Sequence, residues 1–173
     1  TDYPIIYKLI ASFLKDEPTC FQYGINLKKG ILLTGPIGCG KTSLMNLMKY
    51  LTATEHKFFV KPCRDISFEF IQDGYQIIHK YSIGKLYQSE PRTYCFDDLG
   101  TDNNLKYFGN ECNVMAEILL SRYDLFISKK LLTHITTNLS ATEIEKHYGN
   151  RVRSRLREMV NLIAYDKSTP DKR

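Results

Sequence analysis

The most constraining feature of this chain is an eight-residue run at positions 35–42 with the sequence GPIGCGKT. It fits the pattern G-x-x-x-x-G-K-[ST], a loop whose backbone amides point at the phosphates of a nucleotide. Glycines allow this turn because they adopt positive φ angles without strain. In such a loop Lys41 reaches the β- and γ-phosphates, and the hydroxyl of Thr42 is a ligand of Mg²⁺. The candidate nucleotide-binding residues are Gly35, Pro36, Gly38, Cys39, Gly40, Lys41, Thr42 and Ser43.

The segments on either side of this run have the pattern that a phosphate-binding loop requires. The apolar segment 30–34 predicts a short buried strand before the loop. The segment 42–51 has apolar residues at helical spacing, which predicts a helix with one face toward the core. A glycine-rich turn that arose by chance would require neither the strand before it nor the helix after it. The motif therefore predicts both a ligand class and a fold class.

Strand-like and helix-like segments alternate along the rest of the chain. Strands are predicted at 57–61, 92–96, 131–137 and 161–165, and helices at 66–81, 112–127, 140–148 and 151–159. This alternation predicts a parallel sheet with helices on both faces, which is a three-layer α/β/α sandwich. An amphipathic helix is also predicted at 4–15, either packed against the domain or serving as a junction to a preceding region.

Composition and length narrow the class of protein further. The chain of 173 residues is expected to form one domain. It has no run of about 18 apolar residues, so no membrane span and no membrane partner are expected. The five cysteines form no C-x-x-C pair, which argues against a disulfide framework or a zinc site and predicts a cytoplasmic protein. The chain begins at Thr1 without a methionine or a signal peptide, so it could be a fragment.

Two adjacent acids, Asp97 and Asp98, follow the apolar segment 92–96. In an open parallel sheet the carboxyl ends of the strands face the ligand crevice, so we expect the acids beside Thr42. Asp97 is then a candidate Mg²⁺ ligand together with Thr42, and Asp98 is a candidate for polarising the hydrolytic water. The alternative is an ordinary turn at the end of a strand, because Asp-Asp-Leu-Gly has turn-forming composition.

The fourth predicted strand ends in Thr-Thr-Asn at 136–138. The side chain of Asn138 is expected to contact the γ-phosphate or the water between the two acids. A second interpretation makes Asn138 the residue that caps the next helix. Ser140 is the better cap, because Ser140 and Glu143 have the spacing of a capping box.

Four arginines occupy alternate positions in the segment 151–157. An apolar stripe between them places Arg151 and Arg155 on one flank of a helix and Arg153 and Arg157 on the other. One pair could reach the nucleotide of a neighbouring subunit as an arginine finger, and the other could contact nucleic acid or solvent. A plain basic surface helix is the alternative.

Together these segments resemble the AAA+ ATPases of the initiator clade, and most closely the DnaC/IstB group of replicative helicase loaders and transposition helper ATPases. The resemblance runs from about position 23 to position 165. It is carried by KGILLTG at 29–35, DD at 97–98, TNL at 137–139 and YGNRVRSRL at 148–156. The last of these resembles the box VII pattern of the family, Tyr-Gly-x-Arg-x-x-Ser-Arg-Leu.

The resemblance implies a P-loop NTPase fold with a five-stranded parallel sheet of order 5-1-4-3-2 and no C-terminal lid domain. It implies ATP and Mg²⁺ as ligands. Arg155 matches the arginine finger that completes the site of an adjacent subunit, and Arg151 matches the arginine that accompanies it. The implied partners are further copies of the chain in a ring or spiral, single-stranded DNA, and a replicative helicase or a transposase.

The resemblance also implies a domain organisation and an initiator-type helical insertion. We expect an amphipathic helix or junction at 1–23, the ATPase core at 24–166 and a polar tail at 167–173. The insertion would fall at 65–88, where aromatic stacking and positive charge suit single-stranded DNA. An ordinary amphipathic helix with a loop is equally compatible. The aromatic and cationic residues in question are Phe68, Phe70, Tyr75, Lys80, Tyr81 and Lys85.

One departure from the family bears on catalysis. Asp98 stands where DnaC-like loaders commonly carry glutamate, so hydrolysis by the isolated domain is expected to be weak. The alternatives are an IstB-like ATPase that assists a transposase, a nucleotide-dependent interaction module with little hydrolysis, and a small-molecule phosphotransferase. Phosphotransferases use an arginine-rich lid between strands, whereas the arginines here follow the fourth strand.

Overall fold

A sheet of five parallel strands forms the centre of the structure, a computed structural model that describes residues 2–84, 90–102, 105–107 and 110–172. Its strands follow in the order Phe59–Pro62, Tyr94–Leu99, Thr133–Thr137, Gly30–Thr34 and Val160–Ala164, and every neighbouring pair is parallel. Along the chain these are the second, third, fourth, first and fifth strands of the sheet, so the predicted order 5-1-4-3-2 is confirmed. The strands of the structure are β1 (Gly30–Thr34), β2 (Phe59–Pro62), β3 (Tyr94–Leu99), β4 (Leu105–Tyr107), β5 (Asn110–Cys112), β6 (Thr133–Thr137) and β7 (Val160–Ala164).

Helices cover both faces of this sheet, as the alternation of elements predicts. Side chains alternate along β1, so Ile31 and Leu33 join the core under α1 and α3 while Leu32 joins the core under α4 to α7. The predicted three-layer α/β/α fold is therefore confirmed. The helices are α1 (Tyr3–Phe13), α2 (Glu17–Gln22), α3 (Lys41–Leu51), α4 (Cys63–Asp73), α5 (Gln76–Tyr81), α6 (Val114–Lys129) and α7 (Ala141–Met159).

Two glycines set the limits of helical segments. The single helix expected at 66–81 is divided into α4 and α5 by Gly74, whose φ of 62° and ψ of −143° end the first segment. Within α7, Gly149 has a φ of 88° and a ψ of 160°, which are not helical, so α7 consists of two helical segments joined at a kink, as the helices predicted at 140–148 and 151–159 require. The antiparallel pair of β4 and β5, α2 and a 3₁₀ turn at Thr54–His56 were not predicted.

A fully buried arginine ties the layer of α5 and α6 to the sheet. Arg122 donates from Nε to the hydroxyl of Thr133 at 2.8 Å and from Nη1 to the carbonyl of Tyr81 at 2.9 Å. Its Nη2 donates to the carbonyls of Arg92 and Leu132, both at 3.0 Å. Burial lowers the pKa of Arg122 to about 10, which still leaves the guanidinium charged at neutral pH. Its role is structural, because neutral oxygen acceptors satisfy its donors.

A buried histidine lies on the opposite side of β6. The Nδ1 atom of His134 accepts a hydrogen bond from the backbone N–H of Ile31 at 3.1 Å, and its ring packs 5.0 Å from the rings of both Phe13 and Phe58. Burial, followed by the charges of Lys15 and Arg122, lowers the pKa of His134 to about 3. The imidazole is therefore neutral in the folded protein at neutral pH.

All five cysteines are buried, and the structure records them as free thiols. Across the described residues, no helix combines the length and the apolar character that crossing a bilayer requires.

Candidate nucleotide-binding and metal site

The predicted phosphate loop lies between the end of β1 and the start of α3. Gly38 and Gly40 have φ values of 78° and 94°, which are left-handed conformations that side-chain-bearing residues rarely adopt. Gly40 caps α3, so the first N–H groups of that helix have no partner within it and face the loop. This arrangement is the one that binds phosphate groups in nucleotide-binding proteins.

A cavity of about 320 Å³ lies against this loop. It is lined by Ile37, Gly38, Gly40, Lys41, Thr42, Ser43, Asp98, Thr101 and Asn138. The structure thus brings the loop, the second acid and the asparagine into one site, although they lie far apart in sequence. Ile37 and Thr101 also line the cavity, and the sequence analysis did not select them.

Lys41 is only 5% exposed and is held inside the loop. Its Nζ atom donates to the carbonyl oxygens of Gly35 at 2.9 Å and Pro36 at 2.8 Å, and lies 3.8 Å from Sγ of Cys39. The ammonium group is therefore already placed at the phosphate loop by groups of its own chain.

Three of the predicted loop residues do not line the cavity. Gly35 is required for packing, because a Cβ at this position would lie 2.6 Å from Cβ of Tyr165. Cys39 is completely buried in the core beneath α1 and α3, and Pro36 offers its carbonyl to Lys41. These residues shape the loop from behind the cavity.

Thr42 and Asp97 are in direct contact, as the sequence analysis predicts for groups at the carboxyl edge of a parallel sheet. The Oγ1 atom of Thr42 lies 2.9 Å from Oδ1 and 3.0 Å from Oδ2 of Asp97, and Asp97 is only 4% exposed. Mg²⁺ in nucleotide sites prefers oxygen ligands, and it is commonly held by one or two carboxylates with several waters and substrate phosphates. A hydroxyl beside a single carboxylate fits that requirement.

Asp98 adopts an uncommon backbone conformation, with a φ of 54°. The pairing of β3 with β6 shifts register between Phe96 and Leu99, so the acids lie within an irregularity of the strand and not after its end. A turn follows, in which Thr101 donates from its N–H to the carbonyl of Asp98 at 3.1 Å. Partial burial and then the charge of Asp97 raise the pKa of Asp98, and Lys41 opposes this shift.

Thr136 connects the two acids, a contact that the sequence analysis did not predict. Its side chain is completely buried in β6, donates from Oγ1 to Oδ1 of Asp97 at 2.6 Å, and accepts the N–H of Asp98 at 2.9 Å. The only hint of this contact in the sequence was a polar residue, Thr136, inside a predicted strand. The register shift that pairs it with both acids is visible only in the structure.

Asn138 follows β6 directly and its side chain is exposed at the cavity. The turn there is held by Thr137, which donates to the carbonyl of Leu99 at 2.6 Å and accepts the N–H of Leu139 at 3.0 Å. The expected capping box of Ser140 and Glu143 is present at the start of α7. Asn138 therefore does not cap the helix.

The predicted arginine finger does not line the cavity of its own chain. Arg155 donates from Nη1 to the hydroxyl of Tyr123 at 3.1 Å, and its guanidinium lies 4.2 Å from the centroid of that ring. It also lies 3.5 Å from Glu158, and its side chain is 37% exposed. Arg151 is exposed on the same helix, and Arg153 forms an ion pair with Glu145.

A buried hydrogen bond links the loop after β3 to α7. Tyr148 donates from its hydroxyl to Asp102, which also accepts the N–H of Gly100 at 3.2 Å. Burial and then the charge of Asp102 raise the pKa of Tyr148. Tyr148 immediately precedes the kink at Gly149, so this bond joins the cavity side of the fold to the helix that carries the arginines.

The structure separates the aromatic residues of the 65–88 segment into two groups. Phe70 and Tyr81 are buried in the core, so they belong to no DNA-facing surface, contrary to what the aromatic pattern suggested. Phe68 and Tyr75 are exposed, and the guanidinium of Arg64 lies 5.4 Å from the ring of Phe68. Lys80 forms an ion pair with Glu69 at 2.7 Å. Lys85 lies outside the described residues.

The segment expected to be a polar tail contacts the phosphate loop. Lys172 donates from its backbone N–H to the carbonyl of Gly38 at 3.0 Å and from Nζ to the carbonyl of Cys39 at 3.1 Å. Its Nζ also forms an ion pair with Asp2. Both ends of the described chain therefore lie next to the candidate site.

No protein-family model matches this chain, and no curated protein matches its sequence. Solved structures do match its fold. A candidate primosome component from Streptococcus pyogenes serotype M3 has a TM-score of 0.64 and 17% identity, over 95% of this chain and 79% of that one. The DnaC helicase loader has a TM-score of 0.59 and 20% identity, over 86% of this chain and 85% of that one.

AMPPCP-bound DnaA from Aquifex aeolicus has a TM-score of 0.61 and 12% identity, over 94% of this chain and 45% of that one. At these identities the similarity establishes the fold. The chain thus has a P-loop NTPase fold, which it shares with the DnaC helicase loader and with DnaA.

Proposed function

We propose that this protein binds Mg²⁺-ATP in the cavity beside the phosphate loop and hydrolyses it as a replication-related AAA+ ATPase that resembles helicase loaders. The observation that carries the proposal is the meeting of Lys41, Thr42, Asp98 and Asn138 around one cavity, with Asp97 bonded to Thr42 behind it. The similarity in fold to nucleotide-bound DnaA and to the DnaC helicase loader supports it.

In this proposal the loop amides and Lys41 bind the phosphates, while Thr42 and Asp97 hold Mg²⁺. Bound Mg²⁺ would neutralise the charge that develops on the transferred phosphoryl group. The loop conformation costs little on binding, because the glycines and the buried Lys41 already hold it in place. The site is therefore organised in advance for a triphosphate.

Asp98 and Asn138 are the proposed residues for placing the attacking water. Both line the cavity, where the carboxylate of Asp98 can accept a proton from a water molecule and the amide of Asn138 can hydrogen-bond to it. An aspartate reaches less far than a glutamate by one methylene. We therefore propose slow hydrolysis by the isolated chain.

Arg155 is the proposed arginine finger, and it would act on the nucleotide of an adjacent subunit together with Arg151. Arg155 lies outside the cavity of its own chain and is partly exposed, and Tyr123 holds its guanidinium at the surface. Such an arginine contributes about 10³–10⁵-fold to the rate in nucleotide hydrolysis. The proposal thus requires self-association.

The test is ATPase activity per subunit measured against protein concentration, with Arg155→Ala beside wild type. The specific activity of wild type should rise with concentration and that of Arg155→Ala should stay low. Arg157→Ala, an exposed arginine on the other flank of the same helix, is the matched control and should behave as wild type. A flat wild-type curve, or full activity in Arg155→Ala, would contradict the proposal.

We also propose a replicative helicase as protein partner and single-stranded DNA as a ligand. The helicase follows from the resemblance to DnaC. Arg64 and Phe68, which are in contact on α4, offer charge and stacking for unpaired bases, and Tyr75 is exposed just before α5. An IstB-like role would instead give a transposase as the partner. Affinity capture with the full-length protein distinguishes a hexameric helicase from a transposase.

A second candidate function is a nucleotide-dependent interaction module with little hydrolysis. The observation that favours it is Asp98 in the position where the related loaders commonly carry glutamate. This module would bind Mg²⁺-ATP tightly and release no phosphate, even with DNA present. Measurement of phosphate release at saturating ATP separates the two functions.

A further inference from the structure

Thr136 uses both hydrogen-bonding functions of its hydroxyl on two consecutive acids. Its single proton is donated to Oδ1 of Asp97 at 2.6 Å, and its oxygen accepts the N–H of Asp98 at 2.9 Å. The side chain is completely buried in β6, between β3 and β1. The hydroxyl is therefore a fixed part of the sheet and has no solvent to exchange with.

The bond to Asp97 limits the rotation of its carboxylate about the last side-chain torsion. The last torsion of an aspartate side chain is broad, and because its two oxygens are identical, what a partner can fix is the plane of the carboxylate. Thr136 binds Oδ1 from one strand, while Thr42 approaches both oxygens from α3. A hydrogen bond to a carboxylate is stronger than one between neutral groups, so this contact favours one orientation.

The bond to Asp98 compensates for the irregularity of β3. The ladder between β3 and β6 pairs Phe96 with Ile135 and then Leu99 with Thr137, so the backbone between these pairs leaves the regular register. Such a bulge removes an N–H from the ladder, and a buried N–H needs another acceptor. The hydroxyl of Thr136 is that acceptor, and it supports Asp98 at its positive φ of 54°.

We propose that Thr136 is a positioning residue of the metal site, which holds the Asp97 carboxylate toward Thr42 and fixes the backbone that presents Asp98 to the cavity. The inference rests on the proposed function, since it assigns Thr136 to the same Mg²⁺-nucleotide site. Residues that orient a metal ligand typically change metal affinity by about 10–100-fold when they are removed.

The test compares three variants in nucleotide binding with and without metal. Thr136→Val removes the hydroxyl and keeps the shape, Thr136→Ser keeps the hydroxyl, and Thr52→Val is the matched control. Thr52 is also buried, and its hydroxyl donates to the carbonyl of Met48 at 2.7 Å at the end of α3. The affinity for a fluorescent ATP analogue is measured in excess Mg²⁺ and in EDTA, and the ratio of the two affinities is the readout.

We expect Thr136→Val to reduce this ratio by about 10-fold or more while binding in EDTA stays at the wild-type level. Thr136→Ser and Thr52→Val should keep the wild-type ratio, even where they lower the melting temperature. If the role of Thr136 were purely structural, Thr136→Val would lower the stability of the protein and leave the ratio of the two affinities unchanged. If Thr136→Val does not fold, Thr136→Ala is measured in its place, with the same expectation.

Two results would overturn the inference while the proposed function stands. One is a wild-type ratio in the folded variant that lacks the hydroxyl, and the other is an equal loss in Thr136→Ser. A wild-type protein that binds the analogue equally with and without Mg²⁺, or not at all, would instead contradict the proposed function, and the inference with it.

Discussion

The nucleotide cavity and the arginine-bearing end of α7 are built in different ways. At the cavity, Lys41 and Asp97 are almost completely buried and their polar atoms bond to groups of the same chain. On α7, Arg151 is exposed and Arg155 rests on Tyr123 at the surface. The difference teaches that the cavity residues are fixed by their own chain, whereas Arg151 and Arg155 lie at its surface, as the proposed action on a second chain requires.

Within the cavity itself, the largest effect is expected from Asp98. Asp98→Asn keeps the shape of the side chain and removes the carboxylate, so ATP hydrolysis should fall by about 10²–10⁴-fold while nucleotide affinity changes little. Steady-state phosphate release and equilibrium binding of a fluorescent ATP analogue measure the two quantities. Glu90→Gln, in an exposed residue before β3, is the control for charge removal. Unchanged hydrolysis in Asp98→Asn would exclude Asp98 from catalysis.

Two tyrosine substitutions allow a buried contact of α7 to be compared with an exposed one. Tyr148→Phe removes the buried donor to Asp102, and we expect it to lower the free energy of unfolding by about 1–3 kcal/mol, because a buried carboxylate loses a partner. Tyr123→Phe removes a surface hydroxyl that contacts Arg155 and Glu158, and its cost should be clearly smaller than that of Tyr148→Phe. Urea unfolding measures both.

Equal costs for the two tyrosine variants would contradict this part of the comparison. They would mean that the contact of α7 with the loop after β3 is no more important to the fold than the surface contact beside Arg155.

The effect that is smallest at neutral pH, and that appears only in acid, is a pH dependence of the sheet that carries the cavity. His134 has a pKa of about 3 in the folded protein against an ordinary value of 6.5. Between these values the unfolded chain binds a proton that the folded chain does not, so stability falls as pH falls from about 6.5 toward 3. The slope approaches about 1.4 kcal/mol per pH unit within this window.

The variant that checks this slope is His134→Asn, whose side-chain oxygen keeps an acceptor near the N–H of Ile31. Urea unfolding at a series of pH values should give a shallower acid-side slope for His134→Asn than for wild type. The nucleotide affinity of both proteins at neutral pH should agree. Parallel slopes would show that His134 is not the group responsible.

The sequence predicts the parts of this molecule that follow from local pattern. The glycine run between a short strand and a helix located the loop, and the apolar segment before Asp97 and Asp98 located the acid-bearing strand. The capping box at Ser140 followed in the same way. Each depends on residues close together in the chain, whose physical requirements are known in advance.

Contacts that depend on register or on the choice of helix face could not be predicted in this way. The bond of Thr136 to both acids exists because β3 and β6 shift register between Phe96 and Leu99. Arg122 carries no sequence signal, because its acceptors are carbonyls and a hydroxyl. In α4 both faces carry apolar residues, so the pattern did not separate buried Phe70 from exposed Phe68.

The most direct measurement of the central claim mixes two variants that are each inactive alone. Lys41→Ala lacks the phosphate-binding lysine but keeps Arg155, and Arg155→Ala has the reverse combination. If one chain binds Mg²⁺-ATP and its neighbour supplies the arginine, mixing them should restore ATP hydrolysis at the sites of the Arg155→Ala chains. A mixture that stays as inactive as its components, although the two chains associate, would contradict the account.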